Sequence, residues 1–415
     1  MPTKPPRAEV IAVGSELLGE SRAETNSLLI ARYLAQVGIE IRRKSVVGDD
    51  AESLVLAVQQ SLDRSSLLII TGGLGPTADD ITREVVAALL GLELQVDPVS
   101  LERLKVIYGR LMLDIKPNSL RQVTLPEGAD VLHNDHGTAP GLLLTVGDAV
   151  IFLLPGPPRE LQPMFENQVM ARIRRRFGVR ALSERNIRLA SLAESAVDAR
   201  VLPILAEYPD IQYTILSSPG LIELIFRSQS EPNKAAQDLD SLQARICAEM
   251  GDRVYSTLSR DLPSVVGELL AKKGLMLATA ESCTAGSISR WLTDVSGSSS
   301  FFAGGVIAYS DRVKQDLLGV SLEILQSHGA VSSESAVAMA AGVCRMTGAE
   351  IGISVTGVAG PTGGTQEKPV GTVWFGVSVQ GRTASVGRRF PGDRASVRLR
   401  STRFALDWLR HQIVQ

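Results

Sequence analysis

Short apolar runs alternate with amphipathic stretches from the amino end of the chain. Residues 9–13 and 67–70 are nearly continuous apolar runs ending at glycine-rich turns, the pattern of strands buried on both faces. Between them, residues 24–37 carry apolar side chains at 28, 29, 30, 34 and 37, the spacing of an amphipathic helix. Residues 39–47 read as a second strand, 51–62 as a second helix, and 79–91 as a helix that ends at Gly91. This βαβαβα rhythm predicts a parallel sheet covered on both faces, with right-handed crossovers. The most apolar stretch, 141–154, reads as two strands joined at Gly147-Asp148 and is too short to span a bilayer as a helix.

Further on, the pattern predicts strand 186–190, helix 195–206, strands 212–216 and 221–227, and helix 233–250, a small α+β layer without a catalytic constellation. The remainder reads as helix 262–273, strand 275–280, helix 285–294, strand 301–309, helix 333–347, strands 351–355, 370–379 and 383–390, and helix 393–410. That is a second α/β/α layer. No long-period repeat is evident.

Composition sets the limits of these layers and of their chemistry. A chain of 415 residues suggests two to four domains. All three tryptophans (Trp291, Trp374, Trp408) lie beyond residue 290, and 170–255 lacks the glycine loops of its flanks. Domains are therefore expected at 1–170, 171–257 and 258–415. Forty-three Lys and Arg against 45 Asp and Glu give a charge of -2, without the basic excess of a nucleic-acid surface. Three cysteines (Cys247, Cys283, Cys344) form no disulfide framework or zinc spacing, and four histidines argue against a multi-His centre. No signal peptide or membrane span is read, so a cytoplasmic protein with reduced thiols is expected.

The first candidate site is the run Thr71-Gly72-Gly73-Leu74-Gly75-Pro76-Thr77-Ala78-Asp79-Asp80 after strand 67–70. Glycines let backbone N–H groups approach an anion, a helix N-terminus adds partial positive charge, and Thr71 and Thr77 offer hydroxyls. Ligands of open α/β sheets sit at the carboxyl ends of strands, where this loop falls. Asp79 and Asp80 either cap the helix or hold a divalent cation that bridges substrate phosphates. Gly14-Ser15-Glu16, Gly137-Thr138 with Gly141, and Pro155-Gly156 with Arg159-Glu160 are further strand-end loops that join the same ring. His133-Asn134-Asp135-His136 reads as a surface loop.

The second candidate site gathers Glu281-Ser282-Cys283-Thr284, Gly297-Ser298-Ser299, Tyr309 with Lys314, Gly357-Val358-Ala359-Gly360-Pro361-Thr362-Gly363-Gly364, and Gly392-Asp393-Arg394. His328 and His411 read as structural or surface residues, so a serine nucleophile here lacks the usual histidine base. A lysine made neutral by burial or by a neighbouring cation such as Arg394 takes that role. Ser282, Cys283, Thr284 and Ser299 compete as nucleophile, and Cys283 reads as a small packed side chain. Ser299 and Lys314 flank strand 301–309. Ten extended residues span at most ~36 Å, so the two meet only through a fold-back or across a subunit boundary.

These motifs carry a resemblance. TGGLGPTADD, the early GSELL and the later PGPP-x-EL resemble the amino-terminal domain of the CinA family (competence/damage-inducible proteins), which is similar to the molybdopterin-binding domains of molybdenum-cofactor synthesis. The match covers 8–165. TAESCT, GSS, Tyr309 with Lys314, GxAGPxGG and GDR resemble the family's carboxyl-terminal domain, also found alone as a nicotinamide-nucleotide amidase, over about 260–412. Two departures are Ala285, where the family more often has glycine, and Ser300 beside the GSS serine.

The resemblance implies an α/β fold with a molybdopterin-binding-like α/β/α sheet, a small α+β middle domain, and a carboxyl-terminal α/β/α amidase domain. For the last domain it implies Ser299 as nucleophile, Lys314 and Tyr309 as its base and relay, and Ser282 and Arg394 as assisting groups. Thr284, Gly357, Ala359, Gly360, Pro361, Gly363 and Gly364 are then expected at the substrate, nicotinamide mononucleotide, with no cofactor. For the first domain it implies metal-dependent cleavage of ADP-ribose to AMP and ribose 5-phosphate. Gly14, Ser15, Glu16, Thr71, Gly72, Gly73, Gly75, Pro76, Thr77, Gly137, Thr138 and Gly156 would bind the nucleotide, and Asp79 and Asp80 the divalent metal. A homodimer is implied, with no membrane and no direct nucleic-acid partner. The alternatives are a competence-related nucleotide-binding regulator, or a pterin-nucleotide site in the first domain.

Overall fold

The computed structural model describes residues 6–20, 22–110, 112 and 114–414. The chain divides into two compact units, one ending at Leu182 and one beginning at Ser183. The first unit extends past residue 170 because helix Pro158–Met164 continues through a π-helical turn, Phe165–Val169, into helix Met170–Phe177. Leu161, Phe165, Val169 and Ile173 on this element are buried among Val10, Ile30 and Phe152.

The first unit is built on a six-stranded sheet. Its order is Ile41–Val47, Ala8–Val13, Leu67–Thr71, Ala149–Leu154, Gly141–Val146, Asp130–Leu132. The first four strands are parallel, as the alternating pattern predicts. The last two are antiparallel, so the sheet is mixed rather than all-parallel. A six-residue run cannot make a parallel crossover when only Gly147-Asp148 separates it from its neighbour. The central strands are buried on both faces, with separate apolar clusters around Val10, Ile69 and Phe152 and around Ile11, Ile70 and Leu153, whereas edge strand Ile41–Val47 is largely exposed. Helix Ala51–Leu62 starts where Asp50 accepts hydrogen bonds from the N–H groups of Glu52 and Ser53.

The second unit joins two layers. An antiparallel sheet, in the order Ile211–Ser218, Leu221–Ser228, Ser183–Ala190, Val254–Ser256, carries helices Glu194–Leu205 and Pro232–Met250. The other layer is a five-stranded sheet in the order Phe302–Ile307, Leu277–Glu281, Ile351–Gly357, Thr372–Val379, Arg382–Arg389. Its first three strands are parallel and its last two antiparallel. The long helix Arg394–Val414 ties the layers together. Arg410 donates to the Asp252 carbonyl at 2.6 Å, Arg403 to the Pro219 carbonyl at 2.7 Å, and Ser191 to the buried Asp407 carboxylate at 2.7 Å. The middle layer is thus packed against the last one. Among the described residues no helix is long and apolar enough to cross a membrane.

Candidate functional sites

In the first unit, the carboxyl ends of the parallel strands open on a cleft of about 340 Å³. Gly14, Glu16, Thr71, Gly72, Gly73, Gly75, Pro76, Thr138 and Gly156 line it, together with Asp79 and Asp80. Two glycines are required by the backbone itself. Gly72 and Gly73 have φ of 96° and 66°, and a Cβ would stand 2.2 Å from the Val13 carbonyl oxygen and from Thr82 Oγ1, respectively. Ser15, Thr77 and Gly137 stand behind the lining. Ser15 exchanges hydrogen bonds with Asp49, Thr77 with Asp80, and a Cβ on Gly137 would strike the Glu160 carboxylate.

The helix after the loop begins at Thr82, not at 79, so neither aspartate lies in its first turn. Asp80 accepts from the Thr77 N–H at 2.9 Å and from the Thr77 hydroxyl, closing the turn before the helix. That removes the helix-capping reading of the pair. Asp79 is exposed, and hydrogen bonding from Thr77 holds its carboxyl below the usual aspartate range.

Two arginines that sequence reasoning left aside fix the loop. Fully buried Arg83 donates to the Leu74 and Gly75 carbonyls at 2.5 and 3.5 Å. Arg121 donates to the Thr77 carbonyl at 2.6 Å and the Asp80 carbonyl at 3.0 Å, and pairs with Glu84 at 2.8 Å. With its carbonyls tied on this side, the loop keeps N–H groups available for an anion. Asn26 donates to the Gly156 carbonyl at 2.8 Å and bridges two loops of the ring. Its carbonyl oxygen, and both amide atoms of Gln122, are buried in the cleft wall without a hydrogen-bond partner.

Among the described residues no group of three or more His, Cys, Asp or Glu side chains is arranged to hold a metal. A magnesium-like ion needs only one or two carboxylates when substrate phosphates and water complete its octahedron. Exposed Asp79, next to Asp80 at the glycine loop, fits that mode and not an all-protein cage. In the loop 133–136, Asn134 is buried and donates to the Ala139 carbonyl and to Glu160. Asp135 pairs with Arg103 on the surface.

In the second unit, four of the five motifs converge at the carboxyl ends of the three parallel strands. The order places Phe302–Ile307 and Ile351–Gly357 on opposite sides of Leu277–Glu281, the point where such sheets open a crevice. Arg394 bridges two of the loops, donating to the Gly360 carbonyl at 2.8 Å and to the Tyr309 hydroxyl at 3.3 Å. Arg398, one helical turn on, donates to the Thr284 carbonyl at 2.9 Å. Ala359, Pro361, Arg394 and Arg398 line a cavity of about 490 Å³. A Cβ on Gly357 would stand 2.8 Å from the Thr372 carbonyl oxygen, and one on Gly360 or Gly364 would press on Val370, whereas at Gly363 it would meet only Val358, at 4.0 Å.

Lys314 lies beneath this crevice with 2% of its side chain exposed. Its Nζ donates to the Tyr309 carbonyl at 3.3 Å and lies 3.5 Å from the Asp311 carboxylate, which is itself 60% exposed. Burial pushes its pKa below the ordinary lysine value, against the pull of Asp311. Cys283 is buried close enough to feel Lys314, and burial raises its thiol to about 12, the environment of a packed, inert cysteine. Ser282 is buried in the same corner, and the Thr284 hydroxyl is buried without a partner. Glu281 accepts from the N–H groups of Ile288 and Ser289 and so anchors the helix that follows. Ala285 adopts φ 48°, the left-handed conformation that favours glycine.

The fifth motif lies elsewhere. Ser298–Ser300 is a 3-10 turn before strand Phe302–Ile307, with Ser299 exposed. Tyr309 and Lys314 follow the other end of that strand. Six strand residues rise ~20 Å, so one copy of the chain does not bring Ser299 to Lys314. The strand pairs along its length with Leu277–Glu281, which leaves no fold-back between its ends.

Comparisons with known proteins match the two regions that carry these sites. Residues 259–413 match the family model of the CinA C-terminal domain, and residues 9–175 match that of the Probable molybdopterin binding domain. A CinA-like protein of Koribacter versatilis is 40% identical over 413 residues, 98% of this chain and 100% of the relative. A CinA-like protein of Solibacter usitatus is 41% identical over 410 residues, 98% of each chain. A crystal structure of a competence-damaged protein (CinA) superfamily member from Klebsiella pneumoniae is 36% identical, covering 37% of this chain and 96% of that one with a TM-score of 0.36.

Proposed function

The chain belongs to the CinA family, and on that premise we propose a hydrolase with two nucleotide sites, an amidase in its carboxyl-terminal layer and an ADP-ribose pyrophosphatase in its amino-terminal unit. The observation that carries the amidase reading is Lys314, a buried amine that desolvation drives toward its neutral form beside Tyr309, Arg394 and Ser282.

Neutral Lys314 takes the hydroxyl proton of Ser282, the serine buried in its own corner, as the oxygen attacks the carboxamide carbon of nicotinamide mononucleotide. The resulting ammonium returns that proton to the departing nitrogen, and ammonia leaves. Water, deprotonated by the same amine, then splits the acyl ester and releases nicotinate mononucleotide. Tyr309, held by Arg394, orients Lys314 or relays the proton. Nearby backbone N–H groups stabilise the oxyanion. Thr284 and the loop from Gly357 to Gly364 hold the nucleotide. A second assignment, Ser299 as nucleophile, rests on the family resemblance and needs its hydroxyl to reach Lys314 from another copy of the chain. Ser299→Ala and Ser282→Ala separate the two, because only loss of the true nucleophile abolishes ammonia release.

In the amino-terminal unit, the ring of glycine loops supports nucleotide phosphate binding. Asp79 and Asp80 would hold a divalent ion, which neutralises charge on the scissile pyrophosphate when bound. Arg83 and Arg121 keep the loop's N–H groups turned to the phosphates. Incubation with ADP-ribose, with AMP and ribose 5-phosphate as products, tests this half. Tight binding without turnover would favour a regulatory nucleotide sensor, and turnover or binding of a pterin nucleotide instead would favour the pterin alternative.

A further inference from the structure

Given the amidase reading above, we infer that Arg398 is a positioning residue of the amidase. Acting through two hydrogen-bonded peptide groups of the turn 282–286, it aims the Cys283 N–H at the oxyanion formed when Ser282 attacks, and strengthens that N–H as a donor.

The turn leaves strand Leu277–Glu281 and enters helix Ser287–Thr293. Both backbone groups of Ser282 are committed. Its N–H donates to the Val355 carbonyl at 2.8 Å, and its carbonyl accepts from the Ala285 N–H at 3.1 Å. A trans peptide points its C=O and N–H in opposite directions. The Ser282 carbonyl shares its peptide with the Cys283 N–H, so that N–H points away from the inside of the turn. Among the described residues it meets no acceptor but its own thiol, which is protonated and accepts weakly. Cys283 is 5% exposed, and a backbone N–H buried without a strong acceptor costs free energy. In a strand–turn–helix elbow, the N–H of the residue after the nucleophile is the one that receives the oxyanion.

The same geometry extends one peptide further. The Ala285 N–H that holds Ser282 shares its peptide with the Thr284 carbonyl. That carbonyl accepts from Arg398 Nη2 at 2.9 Å, and from the N–H and hydroxyl of Ser287 at 3.2 and 2.7 Å. A continuous chain therefore runs from the guanidinium to the Thr284 carbonyl, through the Ala285 N–H to the Ser282 carbonyl, and through the Cys283 N–H to the reacting carbonyl oxygen. Each bond in such a chain polarises the next, and a cation at its head makes the last N–H a better donor. Ser287 holds the same carbonyl but brings no charge. The charge of Arg398 is felt at Cys283, against the larger effect of burial. Arg398 also lines the cavity beside Arg394, so a direct grip on the substrate phosphate is the competing role.

Kinetics of the full chain on nicotinamide mononucleotide and on its thioamide analogue test this, because sulfur accepts hydrogen bonds weakly and so depends little on the oxyanion contact. Arg398→Met should lower kcat for the amide by roughly 10- to 100-fold, short of the ~10²–10³-fold lost with an oxyanion donor removed outright, and leave KM unchanged. The thioamide kcat should fall much less, so the ratio of the two shrinks. Arg398→Lys, which keeps the charge, should retain more amide activity than Arg398→Met, and methylguanidinium should restore part of the amide rate to Arg398→Ala. These two variants keep the test readable if Arg398→Met does not fold. Equal losses on both substrates without rescue overturn the positioning role, as does full kcat in Arg398→Met. A raised KM at unchanged kcat overturns it too and makes Arg398 a phosphate anchor. Wild-type chain that hydrolyses neither substrate overturns the amidase reading itself.

Discussion

Replacing Asp311 with asparagine tests the lysine base directly, because two opposing terms set its charge. The Asp311 carboxylate lies 3.5 Å from Lys314 Nζ. At that distance the attraction is about 5 kcal/mol at an effective dielectric of about 20, and about 1 kcal/mol at that of water. Asp311 is 60% exposed, which places the attraction near the lower figure. Removing the ammonium from water costs several kcal/mol, so burial wins and the lysine is held below its ordinary 10.5. With Asp311→Asn that remaining attraction, about 1 kcal/mol, is lost, and the lysine pKa falls further. A general base must be neutral, so kcat/KM climbs as pH rises through this pKa. The acidic limb of the amidase profile should therefore move to lower pH in the variant. The assay is initial-rate ammonia release from nicotinamide mononucleotide, measured above about pH 7 so that the substrate phosphate, with its second ionisation near 6, does not intrude. An unmoved limb, or one moved to higher pH, refutes the assignment of Lys314 as the base. The same depression has a stability consequence. Between the lowered folded value and 10.5 the unfolded chain binds the extra proton, so this residue's contribution to stability increases with pH across that window.

Ala285→Gly should stabilise the chain by about 0.5–1 kcal/mol in denaturant unfolding, because relief of a left-handed alanine outweighs glycine's greater unfolded entropy. Gly73→Ala should abolish ADP-ribose cleavage while amidase activity survives, since its Cβ would stand 2.2 Å from Thr82 Oγ1 at a φ of 66°. EDTA should stop ADP-ribose cleavage and leave ammonia release unchanged, as read by product chromatography on the same sample. Metal-insensitive cleavage would remove the role given to Asp79 and Asp80.

Most of the layer structure was legible because it rests on local signals. Helices Leu262–Lys273 and Ser333–Thr347 have the predicted bounds, each announced by a capping side chain, Asp261 and Ser332, ahead of an amphipathic run. Strand direction was less legible, since apolar periodicity is the same for parallel and antiparallel partners. Helices Pro98–Arg110 and Asp311–Leu318 were not predicted, having few buried positions to set a period. The helix expected from 79 starts later because Asp80 spends its carboxylate on Thr77, a competition between turn and helix that spacing does not reveal.

The sites divide in the same way. The glycine loops and the loops that carry Ser282, Lys314 and Arg394 were visible as motifs at strand ends. Arg83 was not, because a charged residue on a helix normally reads as solvated, and only the loop folded over it explains its burial. Gln122 and Asn26 carried no motif at all. The gap between Ser299 and Lys314 was foreseen as a distance problem, but that the intervening strand is an unpartnered edge emerges only from the sheet order.

The most direct test of the central claim is incubation of the purified full chain with nicotinamide mononucleotide, beside its Ser282→Ala and Lys314→Met variants, with ammonia and nicotinate mononucleotide both quantified. Stoichiometric release of the two by the wild type, and loss of both in each variant, is the predicted result. Wild-type chain that yields neither product, or a Lys314→Met variant that hydrolyses the amide as fast as the wild type, would contradict it.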